Sequence, residues 1–441
     1  MSKPLVAVVG KPNVGKSTLF NKITGKKVSI VEDTAGVTRD RVYCDAEWRG
    51  RIFTLIDTGG LEINDDDSMW RHIRAQADIA VDLADVIVFV TDGKAGISSS
   101  DREVAQYLRA GAKPIVLAVN KLDVYSQEKL FDFYEFGFDE VVGISAEQGT
   151  GIGDLLDEIV SRLPDKSEAE DEDDGLKIAV VGKPNAGKSS IVNKILGYDR
   201  VIVSDVAGTT RDAIDTAFTD SKGRKFTVID TAGMRKKSNV DKGIEQYSVV
   251  RALGAVRRAD VSVIVIDAGA GISEQDVKIC GYVHDQGKPS VIVMNKWDTV
   301  EKDTRTVNVF NKNLEGELKF MDYMTPVYVS ALTGQRLDKV LDLACEAHAQ
   351  ASRRITTGLL NDVVRDAVLA VEPPSYNGKR LKILYVTQDS VCPPTFVFFV
   401  NDTKLTHFSY RRYLENCLRR AFGFKGTPIK LVFRSRDEED I

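Results

Sequence analysis

Short apolar runs alternate with amphipathic stretches along most of this 441-residue chain. The runs are VAVVG, IFTLIDT, VIVFVTD and PIVLAVN, and further along IAVVG, FTVIDT, VSVIVIDA and SVIVMN. Uninterrupted apolar runs predict parallel strands buried on both faces, and the stretches between them, such as Ser17 to Ile23 and Asp101 to Arg109, predict crossover helices. This alternation predicts an α/β fold of doubly wound, mostly parallel sheets that bind ligands at the carboxyl ends of their strands.

The series of runs occurs twice, and a charged segment separates the two copies. Pro164 to Gly175 reads PDKSEAEDEDDG, with seven acids, one Lys and no large apolar residue. Because such a segment repels itself and cannot bury a face, we expect an extended, mobile tether. The predicted parts of the chain are a first α/β domain over 1–163, a linker over 164–175, a second α/β domain over 176–350 and a third domain over 351–441.

The third domain has a different pattern from the two copies. Its predicted elements are a helix over Thr357 to Val371, strands over Leu381 to Thr387 and Thr395 to Asn401, a helix over Ser409 to Phe422 and a strand over Ile429 to Arg434. This order predicts a small α+β domain with an acidic tail. From residue 351 onward the chain has 15 Lys/Arg and 10 Asp/Glu, although its overall net charge is −5, so we expect an acidic partner for this part.

The rest of the composition excludes several classes of protein. Hydrophobic residues make up 43% and charged residues 28% of the chain, which is typical of globular domains. Its five cysteines are widely spaced, which predicts reduced, buried thiols in a cytosolic protein and neither a disulfide framework nor a zinc site. No leader precedes the first strand, and no apolar run approaches the ~20 residues that span a bilayer, so we expect no membrane association.

A glycine-rich octapeptide follows the first strand of each copy and opens a helix. The two are GKPNVGKS, from Gly10 to Ser17, and GKPNAGKS, from Gly182 to Ser189. In this context the glycines let backbone N–H groups point at a β-phosphate, the Lys reaches the β- and γ-phosphates, and the Ser hydroxyl binds Mg²⁺. The predicted phosphate-binding residues are Gly10, Lys11, Pro12, Asn13, Val14, Gly15, Lys16 and Ser17, then Gly182, Lys183, Pro184, Asn185, Ala186, Gly187, Lys188 and Ser189.

Each octapeptide is followed by a T-R-D tripeptide and a D-T-x-G box. The predicted Mg²⁺ ligands are Ser17, Thr38 and Asp57 in the first copy and Ser189, Thr210 and Asp230 in the second. The remaining box residues predicted to bind the nucleotide are Thr58, Gly59 and Gly60, then Thr231, Ala232 and Gly233. Of these, Gly60 and Gly233 are predicted to donate a backbone N–H to the γ-phosphate. The residues predicted to promote hydrolysis are Lys16, Thr38, Asp57 and Gly60 in the first copy and Lys188, Thr210, Asp230 and Gly233 in the second. Thr38 and Thr210 could instead simply cap turns.

An N-K-x-D box and a Ser-Ala pair complete each copy and predict which base is bound. An Asp carboxylate accepts from both N1–H and the exocyclic amine of guanine, whereas adenine would leave buried polar groups unpaired. The predicted base-binding residues are Asn120, Lys121, Asp123, Ser145 and Ala146, then Asn295, Lys296, Asp298, Ser330 and Ala331. The boxes repeat in the same order, at an offset that grows from 172 to 185 residues, which indicates a duplicated domain that binds GTP or GDP.

Together these boxes, the acidic tether and the basic α/β tail resemble a bacterial family of tandem-G-domain GTPases known as Der or EngA. The resemblance covers essentially the whole chain and implies two P-loop G domains and a K-homology-like third domain. It also implies a role in assembly of the large ribosomal subunit, with that subunit and its rRNA as partners, no DNA, and a monomeric, cytoplasmic protein. The expected reaction is hydrolysis of GTP with Mg²⁺.

Two positions bear on how hydrolysis proceeds. Leu61 and Met234 follow the D-x-x-G boxes, where Ras-like enzymes have a Gln that orients water, so another device is needed or the reaction is slow. Asn13 and Asn185 occupy the position at which the resemblance implies a K⁺ ion bridging the phosphates, which predicts potassium-stimulated hydrolysis. The alternative is that these asparagines only tighten the loop.

The third domain differs from K-homology modules that bind single-stranded RNA, because no G-x-x-G occurs in NDTKLTHFSYRR between its second strand and last helix. Six basic residues could instead contact the phosphates of folded RNA: Lys379, Arg380, Arg411, Arg412, Arg419 and Arg420. They could equally form a solvated face or dock on the G domains. The RKK run from Arg235 to Lys237 could couple the nucleotide state to RNA or to the neighbouring domain.

Two functions therefore remain open. In the first, both G domains hydrolyse GTP, and the nucleotide state changes the affinity of the third domain for ribosomal RNA. In the second, the chain is a nucleotide-sensing binding module in which one G domain binds GTP or GDP but hardly turns over.

Overall fold

The computed structural model describes residues 4–25, 43–57, 77–78, 80–81, 84–111, 113–122, 127–164, 175–197, 202–203, 215–230, 252, 254–376 and 379–435. These residues fall into two compact units, residues 4–164 and residues 175–435. In the described part of the chain, no helix is long and apolar enough to cross a membrane. The predictions for Thr38, Thr58 to Leu61, Asp123, Thr210, Thr231 to Lys237 and most of the acidic tether lie outside the described residues.

The first unit contains a six-stranded sheet between helices. Its elements in order are β1 (Leu5–Val9), α1 (Lys16–Thr24), β2 (Tyr43–Trp48), β3 (Arg51–Asp57), β4 (Val86–Asp92), α2 (Ser99–Ala110), β5 (Ile115–Asn120), a 3₁₀ helix (Gln127–Phe136), β6 (Val141–Gly143) and α3 (Ile152–Ser161). The strand order is β2-β3-β1-β4-β5-β6, and all neighbours are parallel except β2 and β3.

Helices cover both faces of this sheet, as the uninterrupted apolar strands predict. On one face Val6 and Val8 of β1 share a core with Leu19 of α1 and Leu155 of α3. On the other face their chain neighbours Ala7 and Val9 share a second core with residues of α2, among them Leu108. Because successive side chains of a strand point to opposite faces, a strand with no polar residue requires two cores.

The second unit begins with the same architecture. Its elements are β7 (Leu176–Val181), α4 (Lys188–Leu196), β8 (Ile202–Val203), β9 (Thr216–Thr219), β10 (Lys225–Ile229), β11 (Val261–Asp267), α5 (Glu274–Asp285), β12 (Ser290–Asn295), a 3₁₀ turn (Trp297–Thr299), α6 (Thr306–Glu317), a 3₁₀ turn (Lys319–Met321), β13 (Val327–Tyr328) and α7 (Leu337–Ala351). The sheet order is β13-β12-β11-β7-β10-β9-β8, with β8 and β9 antiparallel at one edge. The predicted fold class is confirmed.

The third predicted domain follows α7 within the same unit. Its elements are α8 (Thr357–Ala370), β14 (Ser375–Tyr376), β15 (Lys379–Arg380), β16 (Ile383–Ser390), β17 (Thr395–Val400), a 3₁₀ turn (Thr403–Leu405), α9 (Phe408–Phe422) and β18 (Lys430–Ser435). Leu360 of α8 and Leu414 of α9 share a core with Phe396 and Phe398 of the β16-β17-β18 sheet. The structure therefore has the predicted order of long elements and adds the short β14–β15 hairpin.

This small domain is fixed to the second G domain by hydrogen bonds and by Arg419. The Ser290 N–H donates to the Gly426 carbonyl at 2.8 Å, and the Gly426 N–H donates to the Tyr323 carbonyl at 3.1 Å. The Arg419 guanidinium lies 4.5 Å from the Tyr323 ring centroid and also donates to the carbonyls of Phe424 and Thr427. Of the alternatives for the basic residues, the structure thus supports docking on the second G domain in the case of Arg419.

A partly buried histidine contacts the same tyrosine. His284 Nδ1 is 2.9 Å from the Tyr323 hydroxyl. Burial, assisted by the charge of Arg419, lowers the pKa of His284 to about 4, so the imidazole is neutral at physiological pH. A neutral ring can pack on Tyr323 beside the arginine without adding a second positive charge.

The prediction of buried cysteines holds for only one of the five. All five are thiols: Cys280 is buried, Cys44, Cys345 and Cys417 are partly exposed, and Cys392 is exposed. Burial raises the pKa of the Cys280 thiol, which makes that side chain inert.

Candidate nucleotide-binding sites

The two phosphate loops have backbone shapes that only glycine fits without collision. Gly15 has φ +95°, and a Cβ atom there would lie 2.3 Å from Asn120 Nδ2. A Cβ on Gly10 would lie 2.3 Å from the Val90 carbonyl oxygen. In the second loop, a Cβ on Gly187 would lie 2.1 Å from Asn295 Nδ2, and a Cβ on Gly182 would lie 2.2 Å from the Val265 carbonyl oxygen. Both loops therefore lie directly against the ends of neighbouring strands.

Lys16 is held under its loop by the loop's own backbone. Its Nζ donates to the Gly10 carbonyl at 2.7 Å and to the Lys11 carbonyl at 2.9 Å. Lys188 donates in the same way to Gly182 at 2.7 Å and to Lys183 at 2.8 Å. Burial lowers the pKa of Lys16 from 10.5 to about 8, although the Asp57 carboxylate acts in the opposite direction. An ammonium held in this way beside a helix N-terminus suits a phosphate chain.

An asparagine from the N-K-x-D box joins three loops in each copy. Asn120 Nδ2 donates to the Val14 carbonyl at 2.7 Å, and its Oδ1 accepts the Ala146 N–H at 2.9 Å. In the second copy, Asn295 Nδ2 donates to the Ala186 carbonyl at 2.9 Å, and Asn295 Oδ1 accepts the Ala331 N–H at 3.1 Å. Asn120 and Asn295 therefore connect the phosphate loop to the Ser-Ala loop, a bracing contact that the sequence motifs alone do not indicate.

The lysine of each N-K-x-D box forms an ion pair with an aspartate that was not among the predicted site residues. Lys121 Nζ lies 2.7 Å from Asp92 Oδ2, and Lys296 Nζ lies 2.6 Å from Asp267 Oδ2. Burial alone would raise the pKa of Asp92, but the Lys121 ammonium and the N–H groups of Lys94 and Ala95 lower it. The sequence could have indicated Asp92 and Asp267, because each ends an apolar run at the same place in its copy.

Asp57 and Asp230 lie where the D-T-x-G boxes predict, at the carboxyl ends of β3 and β10. Asp57 is buried and pairs in register with Val8 of β1, two residues before Gly10. Asp230 has a left-handed backbone, with φ +59°, and its N–H donates to Asp215 Oδ1 at 2.9 Å. Asp57 thereby ends the strand next to the one that leads into the first phosphate loop, and Asp230 directly follows the equivalent strand in the second copy.

The remaining described candidates differ in exposure. Ser17 lies exposed in the first turn of α1, and Ser189 is half-buried in the first turn of α4. Asn13 and Asn185 are exposed and left-handed, with φ +66° and +63°. Asp298 is exposed in the 3₁₀ turn Trp297–Thr299.

The donor atoms of these sites fit Mg²⁺ bound together with phosphates. Mg²⁺ prefers oxygen ligands and is usually held by one or two protein groups, with substrate phosphates and water completing its shell. A serine hydroxyl at the helix start and an aspartate on the adjacent strand supply such oxygens. Within the described ranges, no group of three or more His, Cys, Asp or Glu side chains forms a dedicated metal cluster.

The close approach at Gly15 gives a direct test of the first site. Replacing Gly15 by Ala puts a Cβ into the Asn120 amide, so we expect the affinity for GDP at this site to fall more than tenfold. Gly50 is the matched control, because it also has positive φ, +75°, but a Cβ added there would meet no atom within 4 Å. Calorimetric titration with GDP, with Lys188→Met disabling the second loop, measures both variants. Equal affinities for Gly15→Ala and Gly50→Ala would contradict the collision.

The buried Lys16 makes the first site sensitive to alkaline pH. With a pKa of about 8 in the free protein, its ammonium is charged at pH 7 and deprotonates above pH 8. A bound diphosphate stabilises the charged form, so the affinity for GDP should fall as the pH rises past 8, by up to about tenfold per pH unit. Titrations between pH 7 and 9 in the Lys188→Met background measure this fall. A flat profile for the protein that retains Lys16 would refute the assignment.

Comparison with known proteins gives matches over the whole chain. The family described as 50S ribosome-binding GTPase matches residues 5–121 and 177–296, and the KH-domain-like C-terminal domain of EngA bacterial GTPase enzymes matches residues 354–434. The GTPase Der of Acetivibrio thermocellus is 52% identical over 441 residues, which cover 100% of both chains. The GTPase Der of Clostridium perfringens strain SM101 is 54% identical over 439 residues, 99% of this chain and 100% of the relative.

Among solved structures, a probable GTP-binding protein engB is 29% identical, with 36% of this chain and 97% of that chain covered and a TM-score of 0.28. Taken with the paired phosphate loops, the full-length relatives and the two family matches show that this chain belongs to the GTPase Der family, with tandem GTPase domains and a KH-like C-terminal domain.

Proposed function

We propose that the chain hydrolyses GTP in both G domains and acts as a nucleotide-gated factor in assembly of the large ribosomal subunit. The observation that carries this proposal is the agreement between the two phosphate loops: each lysine is held by the same two carbonyls and each loop by the same asparagine. A degenerate second site would not need to retain this geometry. The description of the matching family as ribosome-binding supports the choice of partner.

The proposed chemistry is direct attack of water on the γ-phosphate. Lys16 and Lys188 neutralise the β- and γ-phosphates, Gly60 and Gly233 donate backbone N–H groups, and the carboxylates of Asp123 and Asp298 select guanine. Mg²⁺, held by Ser17, Thr38 and Asp57 or by Ser189, Thr210 and Asp230, supplies positive charge to the phosphate oxygens when it is bound. In this scheme the protein positions the reactants and stabilises charge, and no covalent intermediate is needed.

A potassium ion near Asn13 and Asn185 would complete the charge complement. Leu61 and Met234 cannot orient water, so an additional cation would have the role that an arginine finger has in other GTPases. Both asparagines are exposed at the mouth of their loops, which suits a side chain whose oxygen shares an ion with the substrate. The alternative, in which they only shape the turn, is supported by their left-handed backbone.

The proposed RNA contact uses the basic residues of the third domain that the fold leaves exposed. Arg419 is engaged with Tyr323 and with loop carbonyls, and Arg411 lies over Phe433 at 4.9 Å, where burial lowers the pKa of its guanidinium. Lys379, Arg380 and Arg420 are exposed and would make the phosphate contacts together with Arg412. Of these, Arg380 also pairs with Glu372 at 2.5 Å, and Arg412 also donates to the Lys319 carbonyl at 3.5 Å. The proposal includes a monomeric, cytoplasmic protein, with parts over 1–163, 164–175, 176–350 and 351–441.

The potassium proposal is tested by replacing the cation. We expect GTP turnover by the full chain to be at least tenfold faster in potassium chloride than in sodium chloride at equal ionic strength, because a bound K⁺ would supply the charge that an arginine finger supplies in other GTPases. Phosphate release at saturating GTP measures both rates, and Asn13→Ala combined with Asn185→Ala should remove the difference. Equal turnover in the two salts would leave the asparagines as loop-shaping residues only.

The ribosome proposal is tested by co-sedimentation of the full chain with ribosomal subunits in GDP, GTP or a non-hydrolysable GTP analogue. We expect binding to the large subunit that requires the triphosphate form and weakens in Lys379→Ala, Arg380→Ala and Arg420→Ala combined, because phosphate contacts dominate such affinities. Binding that is indifferent to nucleotide would favour the alternative, a sensing module with slow turnover. Failure to bind the large subunit at all would refute the partner.

A further inference from the structure

We infer that two buried carboxylates, Asp101 and Asp276, are positioning residues that fix the phosphate loops through the loop lysines Lys11 and Lys183. Neither aspartate belongs to a nucleotide-binding box. Lys11 Nζ lies 2.9 Å from Asp101 Oδ2, and Lys183 Nζ lies 3.2 Å from Asp276 Oδ2. The pairs join residues about 90 positions apart and recur in both copies.

Each carboxylate is itself held rigidly at the start of a helix. Asp101 Oδ2 accepts from the Ser98 N–H at 3.0 Å and from the Ser98 hydroxyl at 2.6 Å, while the Ser98 hydroxyl accepts the Asp101 N–H. This reciprocal capping box begins α2, and Ser273 with Asp276 forms the same box at the start of α5, also at 3.0 and 2.6 Å. The aspartates therefore give the lysines a fixed anchor on the helix.

Burial makes the lysine important to the carboxylate. Asp101 is 2% and Asp276 is 1% exposed, whereas the side chains of their lysine partners are each 18% exposed. Among the described residues, Asp276 Oδ1 is buried without a hydrogen-bond partner, so the contacts that stabilise this charge are those at Oδ2. A buried carboxylate that loses its cation is costly, and this cost favours the paired arrangement.

The anchor acts on the phosphate-binding lysine through one backbone carbonyl. The Lys11 side chain forms an ion pair with Asp101, and the Lys11 carbonyl accepts a hydrogen bond from Lys16 Nζ at 2.9 Å. The Lys183 carbonyl accepts from Lys188 Nζ at 2.8 Å in the same way. Fixing the side chain of Lys11 restricts its backbone, and with it the position of the ammonium that contacts phosphate. Asp101 thus acts on Lys16 through Lys11.

A four-variant cycle at the first site tests this inference in the full chain, with Lys188→Met disabling the second loop. We expect Asp101→Asn and Lys11→Met each to weaken GDP binding about tenfold, and the double variant to bind no more weakly than either single variant, because both changes remove one interaction. Lys11→Arg keeps a cation beside Asp101 and should therefore lose less affinity for GDP than Lys11→Met. Calorimetric titration gives the affinities, and thermal unfolding shows that each variant is folded.

Asp157→Asn is the matched control. Asp157 also accepts two hydrogen bonds, from Trp48 Nε1 and from Arg49, but it lies on α3 away from the loop, so its replacement should leave GDP binding unchanged. Lys11→Met leaves the capping box intact and keeps the test decisive if Asp101→Asn does not fold. Additive losses, or a loss in Asp101→Asn with none in Lys11→Met, would overturn the inference by assigning Asp101 to the helix cap alone. The inference rests on nucleotide binding by the loops, which titration of the protein carrying only Lys188→Met checks separately.

Discussion

The contact between an asparagine amide and a glycine without a side chain is the constraint on which each nucleotide site depends. The amide nitrogens of Asn120 and Asn295 occupy the space that a Cβ on Gly15 or Gly187 would need. From there each amide bonds to the phosphate loop and accepts from the Ser-Ala loop. One side chain in each copy therefore connects the loop predicted to bind phosphate with the Ser-Ala loop predicted to bind the base.

Local sequence predicted the sheets, the phosphate loops and the long elements of the third domain, because apolar periodicity and glycine spacing are local properties. The pairs Lys11–Asp101 and Lys121–Asp92 could not be predicted in this way, since each joins residues far apart that meet only when the sheet has formed. The docking of Arg419 on Tyr323 was left open for the same reason: a basic helix has the same sequence whether it faces water, RNA or a neighbouring domain. Charge alone therefore overestimated the surface available to an acidic partner.

The two copies diverge where the offset between them grows most, from 175 residues at the N-K-x-D box to 185 at the Ser-Ala pair. The first copy has the 3₁₀ helix Gln127–Phe136 in this interval, whereas the second has α6 (Thr306–Glu317) and the turn Lys319–Met321. The same interval contains Tyr323, which receives the small domain through its ring and its carbonyl. The longer interval in the second copy thus supplies a docking surface and leaves the bonds around its phosphate loop unchanged.

The contact at Gly426 has a consequence for the order in which the chain is completed during synthesis. The Ser290 N–H at the start of β12 and the Tyr323 carbonyl find their partners in Gly426, which the ribosome adds more than a hundred residues later. Until then the edge of the second G domain has polar groups that only water can satisfy, and the Tyr323 ring lacks Arg419. Domains fold in order from the N-terminus during synthesis. The first G domain can therefore mature early, while the second reaches its final surface only after Gly426 has been added.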